Sequence, residues 1–222
     1  GAINQINESR VNSTLKEPLP QLLYNKLTYF ALNSASNYTG YFSPKFLFFE
    51  GGTHYQFSLP HFGILYSVTL PFFYIGLIIL FLRFRSLEKE KKFILIWLLL
   101  APLPAAITRD PYQVVRAMTM AIPVFLVTSF GFGYMADYLK NRGTKAQRFF
   151  WGIFALGIFA SLIIYIYKLW VIYPAKYSFA WQYGYKQTID FINENGKSYQ
   201  KIFFTKKYGE PHEFLLFYLS YD

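Results

Sequence analysis

The sequence predicts a multi-pass α-helical membrane protein with about four transmembrane helices and a small, incomplete α/β segment on the exoplasmic side. Three observations predict it. Four long apolar stretches occur, at residues 62–82, 93–107, 114–135 and 149–167. The loops that separate them sort by charge. Aromatic residues reach 22%, with 20 Tyr and 25 Phe, and amphipathic rings such as Tyr and Trp favour the membrane–water interface.

The first, third and fourth stretches meet the roughly 20 residues that a spanning helix needs. The second does not. About 15 residues reach only about 22 Å against a hydrocarbon core of about 30 Å. It also carries Pro102 and Pro104, which remove backbone donors and break helical pairing. Two readings fit: a tilted hairpin partner whose lysines snorkel, or a helix that stops below the outer surface and leaves a polar cavity there.

Charge supplies the orientation. Residues 83–92 hold five bases against two acids, and residues 137–148 hold four bases against one, so each loop is net +3 within a chain of net charge +10. Short basic loops beside spans stay in the cytoplasm. Four spans then place both ends and the 108–113 turn outside. The basic balance is therefore mainly a topology signal and not a nucleic-acid footprint. No cysteine is present, which excludes disulfides and thiolate chemistry. His54, His61 and His212 are scattered without ligand spacing, so no metal site is expected.

The chain divides into an exoplasmic interfacial helix and loop (1–60), a four-helix membrane region (61–172) and an exoplasmic α/β segment (173–222). Residues 18–36 read as one helix lying on the membrane surface, with Leu19, Leu22, Leu23, Leu27, Phe30 and Ala31 near one face. The aromatic run that follows reads as an ordered interfacial loop. In the tail, residues 179–195 read as a helix with Phe179, Tyr183, Ile189 and Ile192 on its apolar side and Tyr185 as a further candidate for it, stopped at Gly196. Lys201 to Thr205 read as a buried strand, and Pro211 as the first residue of a second helix. Gly1 in place of Met, and an end just after an apolar run, predict a piece of a longer protein. Asn12 and Asn37 each begin a glycosylation triplet. Gly131 and Gly133 lie inside an apolar stretch, so they read as helix-packing residues and not as a phosphate loop.

The chemistry-bearing region is TRDPYQVVRAM, residues 108–118. Arg109 and Asp110 form the short outer turn, and Arg116 sits two residues into the third apolar stretch. An arginine there either snorkels to the interface or recognises an anion, to which its planar fork donates in pairs. The start of the third helix would add unpaired N–H groups.

Three segments, YFSPKFLFFEGG, SLPHFGILY and WLLLAPLPAAITRDPYQVVRAM, occur here in order. Together they resemble the C-terminal half of bacterial polyprenyl-phosphate-dependent membrane glycosyltransferases of the GT-C fold, akin to protein mannosyltransferases and the aminoarabinose lipid A transferase. The resemblance covers most of the chain and implies location in the inner (plasma) membrane. It also implies transfer of a sugar from a polyprenyl-phosphate-linked donor to a lipid, glycan or protein acceptor outside the cytoplasm. In that family the acidic residue acting as base or metal-linked carboxylate lies in a first exoplasmic loop. That would be upstream of Gly1, so no catalytic residue and no cofactor is assigned here. The residues implied for the lipid phosphate are Arg116, Arg109, Gln113, Tyr112 and His54. Relatives often have Gly-Asp where this chain has Gly51-Gly52, and His where it has Gln113. A non-catalytic polyprenyl-lipid-binding subunit and a transporter fragment are the alternatives. The spans are nearly free of polar residues at their centres, whereas a transporter usually places them there.

Overall fold

The computed structural model describes residues 2–108, 110–141, 143–207 and 209–219. These residues are predominantly helical, and no strand occurs among them. They form two compact units, Gly1–Leu162 and Ile163–Asp222.

The first unit begins with α1 (Ala2–Val11), the short α2 (Leu19–Leu23) and α3 (Lys26–Gly40). The single helix expected at 18–36 is divided at Asn25. That side chain accepts from the amides of Leu27 and Thr28 at 2.9 and 3.0 Å, satisfying two of the N–H groups that a helix start leaves unpaired. Leu22, Leu27 and Phe30 are exposed.

Part of the aromatic run beyond α3 is core, while Phe49 and Phe57 of the same run are exposed. Lys45–Glu50 winds as one wide helical turn that buries Phe46, Leu47 and Phe48. With Tyr41 and Leu65 they join residues of the later helices in one cluster that includes Phe73, Leu98, Ala105 and Val127. Backbone polarity inside this insertion is satisfied specifically. Tyr74 donates its hydroxyl to the Phe42 carbonyl at 2.7 Å, and the Leu65 amide donates to the Leu47 carbonyl at 2.7 Å. Burying an irregular segment requires such pairing.

Next come α4 (Leu70–Leu82), α5 (Lys89–Leu100) and α6 (Leu103–Ala106). The second apolar stretch is thus two helices broken at Ala101 and Pro102. The break leaves carbonyls on both sides of it without a helical partner, and side chains from elsewhere cover several of them. Tyr38 donates to the Leu99 carbonyl at 2.8 Å and Thr119 to that of Ala101 at 3.3 Å. Asn37 reaches the carbonyls of Ala106 and Thr108 at 3.3 and 3.2 Å. This is how apolar surroundings tolerate a broken helix. Asn37 thereby acquires a structural role. Its side-chain nitrogen is buried and engaged, so glycan attachment at that triplet is incompatible with this fold.

Helix α7 (Ala121–Lys140) and helix α8 (Thr144–Tyr167) follow. Met118–Lys140, with its leading turn, and Thr144–Trp181, with the helical turns that extend α8, are long and apolar enough to cross a membrane. Ser67–Leu82 is apolar but shorter. Arg142 lies outside the described residues. Helices α4 and α7 pack backbone to backbone. A Cβ on Gly131 would overlap the carbonyl oxygen of Phe72, and one on Gly76 would overlap that of Val127. Gly131 therefore has the packing role its position suggests. Gly133 does not, since nothing lies within 4 Å of a Cβ there.

In the second unit, α9 (Tyr173–Tyr177) leads to α10 (Tyr185–Asn195) and α11 (Pro211–Leu219). The helix expected at 179–195 starts only at Tyr185, because Gln182 and Gly184 adopt left-handed backbone, with φ of 57° and 104°. Its buried side is Tyr185, Ile189 and, half-buried, Ile192. At Gly196 the helix passes into a tight turn with right-handed φ of −59°, so this glycine does not act as a left-handed cap. Lys201 to Thr205 form no strand, and only Phe204 among them is even half-buried. A strand needs a partner ladder, and no second extended segment pairs with this one among the described residues. Phe204 serves packing instead. It stacks on Tyr185 at 5.8 Å, and Phe214 of α11 stacks on the same ring at 4.3 Å. Pro211 opens α11, as its missing N–H favours.

Candidate functional site

The segment joining α6 to α7 is a loop through Ala117, followed by one tight turn, Met118–Met120. The third helix therefore begins later than residue 114, and Arg116 stands in a turn before it, exposed, and not inside the span. The cause is local. Pro111 precedes Tyr112, which takes a left-handed φ of 56°, and neither continues a helix. A non-glycine residue in that region is strained by about 1 kcal/mol or more, so the surroundings must hold it.

They do so through aromatic rings. Tyr112 stacks on Phe46 at 5.5 Å with the planes 16° apart, and Tyr41 meets it edge-on at 6.2 Å. The wholly buried Tyr41 hydroxyl accepts from the Gln113 amide at 2.9 Å. From the other side, Thr53 donates its hydroxyl to the Pro111 carbonyl at 2.8 Å. The loop carrying Thr53 and His54 is thereby fastened to the same turn, with His54 exposed.

The glycine pair has a steric reason. Gly51 has φ of 70°, where a side chain would overlap the Phe62 carbonyl and the Ser58 hydroxyl. At Gly52 a Cβ would overlap the side chain of Val114, while the Gly52 amide donates to Ser58 Oγ at 2.8 Å. The turn and the loop meet where a carboxylate at position 52 would have to stand.

Burial pushes the Tyr41 phenol above its ordinary value. The Gln113 N–H and the Arg116 charge oppose this, and Tyr112 adds weakly to it. The phenol is thus a neutral hydrogen-bonding group at physiological pH, and the guanidinium is near enough for its field to be felt there. Tyr112, Gln113 and Arg116 form one braced turn, and Thr53 ties the His54 loop to it. Arg109 lies outside the described residues. Asp110 is exposed, and Glu50 forms an exposed ion pair with Lys45 at 3.2 Å. No three acids or histidines gather as a metal site among the described residues.

Tyr41 and Asn37 are the residues that sequence reasoning missed. Their only sequence signal is position in an aromatic, turn-rich segment, because their partners are 69 to 72 residues away. Compared with family models, curated proteins and solved structures, the chain matches none.

Proposed function

We propose that this chain is part of a GT-C-type membrane glycosyltransferase, and that the Gln113–Arg116 turn holds the phosphate of a polyprenyl-phosphate-linked sugar donor at the exoplasmic membrane edge. One observation carries the reading. An exposed arginine stands on a turn braced by a buried tyrosine, between a helix cut short by proline and a helix long enough to span. A headgroup bound there keeps its charge at the water boundary while its isoprenoid chain runs beside apolar helices. The resemblance of residues 41–118 to those transferases supports the same reading, with the catalytic acid supplied from elsewhere in the whole enzyme.

The membrane arrangement belongs to this proposal: four crossings, with α5 and α6 together forming the short one, and both basic loops in the cytoplasm. The exposure of α8 along its length, with Phe149, Leu156 and Phe159 all more than half exposed, suits lipid better than water. With no native cysteine, single substitutions report topology cleanly. Ser86→Cys and Thr144→Cys are expected to resist an impermeant thiol reagent in intact cells, and Ser36→Cys and Ser198→Cys to react. Labelling at Ser86→Cys in sealed cells would overturn the arrangement.

The phosphate site is tested by capture of radiolabelled polyprenyl phosphate and of the matching polyprenol by the protein in nanodiscs. The phosphate is expected to bind in a salt-sensitive manner and the alcohol to bind far more weakly. Equal retention of the two would remove the phosphate from the proposal.

A further inference from the structure

The bases that flank the apolar helices gather at one end of the first unit. Phe72, near the start of α4, meets Phe150 and Phe154 of α8 at 6.1 and 5.1 Å. Val68, four residues earlier, is what a Cβ on Gly157 would meet. Going back along the chain from Phe72 therefore goes forward along α8, so the two helices run in opposite directions. The end of α4 and the start of α8 share one rim. Helix α7 ends there too, because only residues 141–143 separate it from α8. The start of α5 is fastened to the same rim, where Lys92 donates to the Arg85 carbonyl at 3.3 Å. We infer that this rim binds the headgroup of an anionic glycerophospholipid. The inference rests on apolar helices crossing a membrane. It uses neither the transferase reading nor the side of the membrane on which the rim lies.

Charge selects the headgroup. Arg83, Arg85, Lys89, Lys140, Lys145 and Arg148 are exposed and make no ion pair among the described residues. The acids on the same segments are fewer. Glu90 and Asp137 are exposed, and Glu88 is already paired with Lys91 at 2.9 Å. A phosphate diester carrying net negative charge relieves the mutual repulsion of these bases, and arginine forks donate to its oxygens in pairs. A zwitterionic headgroup brings an ammonium of its own, which the same bases repel. On an anionic membrane surface each such base is worth about five-fold in affinity.

The neighbouring side chains select a lipid over a free anion. Leu82, Phe93 and Phe149 are 82%, 62% and 72% exposed. Each is the chain neighbour of a base: Arg83, Lys92 and Arg148 respectively. Three separate helix ends thus repeat one arrangement, a large bare apolar side chain beside a cation. Free phosphate leaves those apolar surfaces in water, which is unfavourable in proportion to their area. A phospholipid covers both parts, its phosphate on the bases and its chains along the apolar residues. Lysine and arginine stems suit that boundary, since they lie on apolar surface while their charged heads reach the phosphate level.

The test uses the full chain in detergent. It is incubated with equal amounts of phosphatidylglycerol and phosphatidylcholine of identical acyl chains, and retained lipid is counted by native mass spectrometry. Phosphatidylglycerol is expected to be retained at least about five-fold over phosphatidylcholine, and the double variant Arg83→Gln, Arg148→Gln to lower that ratio at least about three-fold. Lys26→Gln, which removes an exposed charge at the start of α3, is expected to leave the ratio unchanged. All three substituted residues are exposed, so the core is untouched, and circular dichroism and elution volume verify folding. Equal retention of the two lipids would overturn the inference. So would a ratio that the double variant does not move, or one that Lys26→Gln lowers as much. Release of the lipid by millimolar inorganic phosphate would show a site for the anion alone and would equally end the lipid assignment. Retention of neither lipid would count against the membrane arrangement as well, whereas equal retention of both would sink this inference alone.

Discussion

Replacing Arg116 by alanine is expected to lower polyprenyl-phosphate binding, and sugar transfer by the whole enzyme, by about 30- to 1000-fold. That corresponds to about 2–4 kcal/mol for losing a bidentate, charge-assisted contact that the bound lipid itself shields from water. Arg116→Lys retains charge without the planar fork and is expected to recover only part of the loss. An arginine that merely snorkels gives another pattern: lysine nearly as good, and glutamine only mildly worse. Tyr41→Phe supplies a graded companion. It removes the acceptor for the Gln113 amide while keeping the ring against Tyr112. The expected cost is about 1 kcal/mol, or about five-fold in binding, transmitted through the turn. Membrane levels are matched by blotting. Near-normal turnover in all the Arg116 variants would make that residue an interfacial anchor and end the phosphate assignment.

Gly131→Ala is expected to destabilise the first unit by about 2–3 kcal/mol, the usual scale for overpacking a tight contact. The new methyl would meet the Phe72 carbonyl, and backbone has little freedom to retreat when two helices already touch. Gly133→Ala is the internal comparison. It lies two residues away on the same helix, with open space at its Cβ, and is expected to be neutral or slightly stabilising, since alanine favours helix over glycine. Thermal unfolding of both variants in one detergent measures the difference. Equal stability would show that the α4–α7 contact is looser than this packing requires.

These predictions draw on features of unequal legibility. The long apolar helices were readable, because a run of twenty apolar residues has few other uses. Pro102 and Pro104 marked the break in the second stretch, and Pro211 the start of α11, because proline acts within a few residues of itself. Gly131 and Gly133 look equivalent in sequence, yet only one faces another helix. The strand expected at Lys201 to Thr205 failed because pairing is a property of two segments, and a β-rich composition supplies only one.

Composition, charge distribution and proline placement by themselves determined that this chain is helical, that at least two of its helices can cross a membrane, and where one apolar stretch breaks. Each of these follows from forces acting on neighbouring residues. Tertiary structure alone decided that part of the aromatic run near Tyr41 is core, that Asn37 and Tyr38 seal the broken helix, and that α7 starts after Arg116 rather than before it. Those outcomes depend on hydrogen bonds and ring contacts between residues about 60 to 70 positions apart. Such contacts leave no local period to read, and the energy that holds Tyr112 in its strained backbone comes from partners that only the folded chain brings together.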